Sequence, residues 1–246
     1  MACSPGSPQN SMDDGAPIRR VAVVTGGKGF IGGAIVRKLS SLDYEVVALD
    51  RGGDFMVDLG DEGDVRSVAR RVVETFGRCD VLVHAAVAFE RATLSELDAQ
   101  LWRNVFAVNV ESALWLMQEL TPAMKENQFG RVVFLVSDTF WNPPAVPDML
   151  PYIASKGALI GVARSLARSL GSSGITINCV APGLTPPPVP NEGFGSAVIE
   201  EVRGRQALPR SLVPDDVAEV VGFLASPAVQ ALTGQTICPD GGLVLL

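Results

Sequence analysis

The sequence holds a single histidine, His84, and four cysteines, Cys3, Cys79, Cys179 and Cys238, with no Cys-x-x-Cys pair. A multi-histidine metal centre is thereby excluded. The scattered thiols argue against a disulfide framework or a zinc site, so no metal is expected and a reducing, cytoplasmic location is. No Gly-x-Ser-x-Gly occurs, which removes the nucleophile elbow of many hydrolases. Lys and Arg number 20 against 27 Asp and Glu and form no basic stripe, so nucleic acid is not an expected partner. No apolar run reaches the roughly 18 residues of a membrane helix, and no membrane partner is expected. Residues 1–18 are rich in Ser, Pro, Gly, Asn and Asp and lack the basic and apolar regions of a signal peptide. They read as a mobile tail, with Met12 as an alternative start.

What remains is a chain of 246 residues, 47% hydrophobic and 19% charged, which suits one large domain, 19–246. Apolar runs at 21–25, 45–50, 80–84, 131–137 and 175–180 have the composition of buried parallel strands, with shorter strands expected at 55–58 and 235–238. Between them lie helical patterns. Val65, Val68, Ala69, Val72, Val73 and Phe76 trace one helical face, and helices are also expected over 31–42, 96–125, from about 152 to 170, and over 214–225. The alternation predicts an α/β fold: a doubly wound parallel sheet of about seven strands, a Rossmann fold. Residues 184–209 carry five prolines and three glycines and read as an irregular substrate lid, stiff at Pro186–Pro190 and hinged at Gly193 and Gly195.

Thr25-Gly26-Gly27-Lys28-Gly29-Phe30-Ile31-Gly32 joins the first strand to the first helix. Gly26 permits a tight turn, Gly29 a close approach of backbone to a pyrophosphate, and Gly32 close helix–strand packing. Free N–H groups of the first helical turn, at Phe30 and Ile31, would face the phosphates. Asp50 ends the second strand, 18 residues after Gly32, where an acid can accept both ribose hydroxyls of NAD and repel the extra phosphate of NADP. NAD is therefore the expected cofactor in preference to NADP, although Arg51 next door offers a counter-charge. Tyr152 and Lys156 are four residues apart on one helix face. A cation beside a tyrosine favours the phenolate, and such a tyrosine can pass a proton to or from a substrate oxygen.

Taken with DVLVHAA at 80–86, NVFAVNV at 104–110, YIASK at 152–156, INCVAPG at 177–183 and TGQTICPDGG at 233–242, these blocks resemble the short-chain dehydrogenase/reductases, in their single-domain branch. The resemblance runs from Val21 to Leu246. It implies Tyr152 as general acid/base, Lys156 as the residue that holds the nicotinamide ribose and lowers the tyrosine pKa, Ser137 as the substrate-oxygen ligand, and Asn109 as the holder of a water leading from Lys156 to solvent. It places Asp58 and Leu59 beside adenine, Ala85 and Ala86 along the cofactor cleft, and Pro182, Gly183, Leu184 and Thr185 over the nicotinamide and phosphates. It further implies hydride transfer between NAD(H) and a secondary alcohol or ketone, and a homo-oligomer, dimer or tetramer.

Three departures from the family pattern stand out. Phe30 replaces a usual glycine, His84-Ala85-Ala86-Val87 replaces Asn-Asn-Ala-Gly, and Ser137 precedes Tyr152 by 15 residues, about two more than is usual. His84 reads as a structural strand-end residue. The first two departures keep open a cofactor-binding regulator without useful turnover, and a sugar-nucleotide-modifying enzyme. Trp141, Met149 and Phe194 point to an apolar substrate, while Arg203, Arg205 and Arg210 are the cations near the lid that could clamp a phosphate.

Overall fold

The computed structural model describes residues 19–145, 148–187 and 195–246. Seven strands, β1 (Val21–Thr25), β2 (Glu45–Asp50), β3 (Phe55–Met56), β4 (Val81–His84), β5 (Gly130–Leu135), β6 (Ile175–Val180) and β7 (Thr236–Ile237), form one sheet in the order β3-β2-β1-β4-β5-β6-β7. Every pairing is parallel. The helices are α1 (Phe30–Ser41), α2 (Glu62–Phe76), α3 (Ala99–Phe106), α4 (Ser112–Glu126), α5 (Leu150–Gly171), α6 (Ser196–Arg205) and α7 (Pro214–Ala225). The expected single-domain, doubly wound sheet is the one observed. The expected tail, 1–18, lies outside the described residues.

Alternation along the strands divides the core in two. Val21, Val23, Leu82, Val132 and Phe134 face α2, α4 and α5, whereas Ala22, Val24, Val81, Val83 and Val133 face α1 and α7. Because both faces are covered, the strands read as continuous apolar runs. Local chemistry fixes the helix ends. The Asp61 carboxylate accepts from the Asp64 N–H to start α2, and Gly77 ends it at φ +70°. Pro214 opens α7, where its missing N–H costs nothing, and the Asp216 carboxylate accepts from the Val213 N–H.

Two expectations change. The helix expected over 96–125 is broken into α3, a π turn at Ala107–Glu111, and α4. The wide turn buries Asn109, which periodicity alone could not show because the apolar pattern runs through it. The stretch 184–209 is not wholly irregular. Its second half is helix α6, which buries none of its residues and so left no amphipathic pattern to read. Pro188–Pro190, Gly193 and Phe194 lie outside the described residues.

The sheet order reverses between β1 and β4, so their C-terminal ends open a crevice. Register sets Thr25 beside both Leu49 and His84, and His84 beside Phe134. Ser137 follows two residues beyond β5 and Pro182 two beyond β6. The residues singled out in the sequence therefore gather along one edge.

Candidate functional site

The turn between β1 and α1 is drawn tight against its neighbours. Gly26 has φ +65°, and a Cβ there would lie 2.9 Å from Ala86 Cα. A Cβ on Gly32 would collide with the carbonyl oxygen of Gly26, so this glycine seats α1 on the turn. Gly29 is the residue before α1. No side chain caps the helix, and no acid lies in its first turn. The N–H groups of its first turn and the positive end of the helix dipole are thus left for an anion. Phe30 is exposed beside them. These features fit the pyrophosphate of a dinucleotide.

Around the mouth, Asp58 is exposed, with its carboxylate accepting from the Gly60 N–H. Leu59 is buried and Ala85 half-buried. Pro182 and Gly183 are buried, with Leu184 and Thr185 half-buried after them. A Cβ on Gly183 would press on Asp240 and Leu212, so the main chain passes close to the C-terminal segment.

Below the crevice sits a buried polar relay. Thr25 Oγ1 accepts from the N–H groups of Ala85 and Ala86, each at 3.1 Å. Its own proton is then directed at His84 Nδ1, 3.0 Å away. That assigns the proton of the neutral imidazole to Nε2, which donates to the Asn109 main-chain oxygen at 3.1 Å. Burial, with the charge of Lys156 adding to it, pushes the His84 pKa down to about 3. The structural reading of His84 fits this arrangement.

Asn109 is fully engaged by protein. Its Oδ1 accepts from the Ala88 N–H at 2.7 Å, and its amide donates to Ala88 O and to Ser155 Oγ. Ser155 donates in turn to the carbonyl of Tyr152, 2.7 Å away. The Asn109 side chain thereby ties the loop after β4 to the first turn of α5.

Tyr152 stacks edge-on against Phe89, with ring centroids 4.9 Å apart. Burial pushes the Tyr152 phenol above its ordinary pKa; a hydrogen bond with Ser137 pulls it down, and the Asp138 charge raises it again. The expected lowering by Lys156 is not found in this arrangement. The Lys156 ammonium, 5.6 Å from the tyrosine ring centroid, donates to Leu135 O at 2.7 Å. Burial brings the Lys156 pKa down to about 8. Ser137 itself is buried and accepts from Thr139 Oγ1 at 2.8 Å.

The longer span between Ser137 and Tyr152 forms a short 3-10 turn, Asp138–Phe140. Phe140 seats against Gly157 of α5, where a Cβ would meet its ring at 2.5 Å, and Trp141 packs on the core. Asn142 accepts from Arg205 of α6 at 2.7 Å. Of the other candidate cations, Arg203 pairs with Glu200 and Arg210 with Asp216. Sequence reasoning missed Phe89, Asp138, Thr139, Ser155 and Gln206. Gln206 is buried, donates to Asp240 O, and has no partner for Oε1 among the described residues. Of these, Asp138 and Thr139 lie next to Ser137 in the sequence, but only the folded turn shows their contacts with it.

A cavity of about 620 Å³ lies at the opposite end of the strands, between α1 and α7. Arg19 and Lys38 on its wall are already paired with Asp43 and Glu219, and it is remote from these residues. Among the described residues, no cluster of His, Cys, Asp or Glu could hold a metal ion, and no helix is long and apolar enough to cross a membrane.

A family model described as "Enoyl-(Acyl carrier protein) reductase" matches residues 34–244. The chain is 29% identical over 243 residues to the 3-oxoacyl-[acyl-carrier-protein] reductase FabG of Staphylococcus aureus strain Mu50, covering 91% of this chain and 98% of the relative. It is 32% identical over 210 residues to the FabG of Thermotoga maritima, covering 84% and 83%. A solved structure of a blue fluorescent protein from a metagenomic library, in complex with NADPH, superposes with a TM-score of 0.82 at 28% identity, over 92% of this chain and 98% of that one.

The expectation of NAD is corrected by that last finding, since the cofactor held by the related structure is NADPH. The local geometry explains why Asp50 misled. Its carboxylate oxygens accept from the backbone N–H groups of Lys28 and Arg51, at 2.9 and 2.8 Å. The Lys28 ammonium lies against Gly52 and Gly53, so a cation stands close to the loop that follows the acid. With a family model matching most of the chain, and relatives aligned along nearly all of it, the chain belongs to the short-chain dehydrogenase/reductase family.

Proposed function

We propose that the protein is an NADP(H)-dependent ketoreductase whose substrate is a 3-oxoacyl thioester or a ketone of similar apolar character. The observation that carries the reading is the meeting of Ser137, Tyr152 and Lys156 beside an uncapped, acid-free helix N-terminus. The names of the FabG relatives supply the substrate class. NADPH, when bound, supplies a hydride to the carbonyl carbon; the ketone is reduced to an alcohol and the cofactor oxidised. The residues of this chain do the rest. The α1 N-terminus holds pyrophosphate, Lys28 and Arg51 meet the 2′-phosphate, and Lys156 holds ribose hydroxyls. Ser137 holds the substrate oxygen while Tyr152 Oη gives it a proton, which solvent restores.

Phe89, Phe140 and Val87 are exposed at the mouth, which supports an apolar acyl or aryl group. Helix α6, fastened to Asn142 through Arg205, supports the reading that its part of the chain covers this mouth. Exposed Leu245 and Leu246 support a homo-oligomer joined near the C-terminus, and light scattering checks that.

The test is NADPH consumption with a panel of 3-oxoacyl thioesters and simple ketones, for the wild type and for Tyr152→Phe. Turnover that disappears in the variant, with NADPH binding kept, is the expected result. Tight NADPH binding with no consumption across the panel would replace the enzyme by a cofactor-binding regulator.

A further inference from the structure

The residue after Ser137 is a buried carboxylate, Asp138, only 5% exposed. Its main chain is used by the fold. The N–H donates to Pro182 O, and the carbonyl accepts from the N–H groups of Trp141 and Asn142. Those bonds would form with almost any side chain, so they do not account for an acid. Among the described residues, the groups that face the carboxylate supply no cation. Tyr152 lies on α5, and Asp240 and Cys238 on the C-terminal segment. The buried ammonium of α5, on Lys156, is directed to Leu135 O instead. Asp240 uses its two oxygens to accept from the N–H groups of Gly242 and Val244.

A carboxylate without a cation needs hydrogen-bond donors, and one is supplied by Ser137. Its Oγ donates to Asp138 Oδ1 at 3.3 Å. The lone pairs of the same oxygen accept from Thr139 Oγ1–H at 2.8 Å and from Thr139 N–H at 3.3 Å. A serine hydroxyl has a single proton. Asp138 competes for that proton, and so weakens the hydrogen bond from Ser137 that favours a phenolate at Tyr152. The negative charge of Asp138 also opposes the phenolate directly.

Resting on the reductase reading above, we propose that Asp138 is a positioning residue that sets the Ser137–Tyr152 pair to give a proton rather than to take one. The pair is thereby suited to carbonyl reduction and hindered in alcohol oxidation at neutral pH. Burial, with the charge of Asp240 adding to it, raises the Asp138 pKa to about 6, so the carboxylate is ionised where the reductase would work. Below that pH the restraint on the serine proton lapses.

The test uses the full chain. It contains two tyrosines, and Tyr44 is buried with its hydroxyl donating to Ala225 O at 2.7 Å. Titrating the phenolate absorbance and subtracting the Tyr152→Phe curve therefore isolates Tyr152 without any substrate. Asp138→Asn lowers the Tyr152 pKa by about one unit, and Asp138→Glu restores it. In the same variant the pH limb of alcohol oxidation moves down equally, so oxidation one unit below the wild-type limb rises up to about tenfold. Asp138→Ser, uncharged and smaller, replaces the Asn variant if that one does not fold. An unmoved tyrosine titration in the uncharged variant overturns the proposal. A moved titration in a protein that consumes no NADPH with any carbonyl overturns the reductase reading and leaves the coupling standing.

Discussion

The Nε2 of His84 donates to the main-chain oxygen of Asn109 at 3.1 Å, and so joins the end of β4 to the π turn. The far nitrogen accepts from Thr25, and that acceptance needs a neutral ring. With a folded-state pKa of about 3 against an ordinary 6.5, the unfolded chain binds the extra proton first. Stability is whole above pH 6.5 and falls as pH drops from there toward 3. Between pH 6.5 and 5 the loss is about 2 kcal/mol at 1.36 kcal/mol per unit. Urea unfolding of the wild type and of His84→Gln at the two pH values measures it. The variant is less stable at pH 7 and has a shallower acid slope; equal slopes would show that the imidazole is not the titrating group.

The proposed cofactor choice rests on Lys28 and Arg51. If Lys28 and Arg51 meet the 2′-phosphate, Lys28→Ala and Arg51→Ala each weaken NADPH binding about tenfold or more, the loss of about 1.4 kcal/mol. NADH binding changes little. Fluorescence titration with both cofactors checks this, and equal losses for NADH and NADPH would assign the two cations to the shared pyrophosphate.

Glycines in this chain differ in what they permit. A Cβ at Gly32 strikes the Gly26 carbonyl, whereas Gly161, on the exposed side of α5, has nothing within 4 Å. Gly32→Ala therefore destabilises the turn and removes dinucleotide binding. Gly161→Ala adds about 0.5–1 kcal/mol of stability through helix propensity alone. Thermal unfolding with and without NADPH separates the two, and a Gly161→Ala protein that melts lower would mean that this face of α5 is closely packed against another copy.

These contrasts show what was legible in the sequence. The strands could be read because parallel strands covered on both faces are continuous apolar runs, and β6 appears at the residues expected. The Gly-rich turn and the Tyr152/Lys156 spacing are local patterns, so they too could be read. The balance of charge around Asp50 could not, because it depends on where the Lys28 side chain lies across the turn. That the Asn109 amide reaches Ala88 and Ser155 could not be read either, because it depends on the π turn. Helix α6 escaped because a helix without a buried face has no hydrophobic period. Asp138 and Thr139 gained meaning only when the 3-10 turn folded them back on Ser137.

Lys156 exposes a conflict between stability and use. The residue is 2% exposed, and among the described residues its ammonium has one hydrogen-bond partner, Leu135 O. Burial lowers its pKa from 10.5 to about 8, so at pH 7 the buried charge costs the fold about 3 kcal/mol at 1.36 kcal/mol per unit. Methionine fills a similar volume without that cost. Lys156→Met therefore raises stability at pH 7 by about 1–3 kcal/mol, the lower figure allowing for the lost hydrogen bond, while ketone reduction disappears. The sign of the pH dependence tests the cause. Because the folded pKa lies below the unfolded one, the penalty is complete below pH 8 and is relieved as pH rises from 8 to 10.5. The wild type gains on the variant over that range, so the gap in urea midpoints narrows toward pH 10. A gap that stays constant from pH 7 to 10 would mean that the variant is stabilised by packing and not by removal of a buried charge.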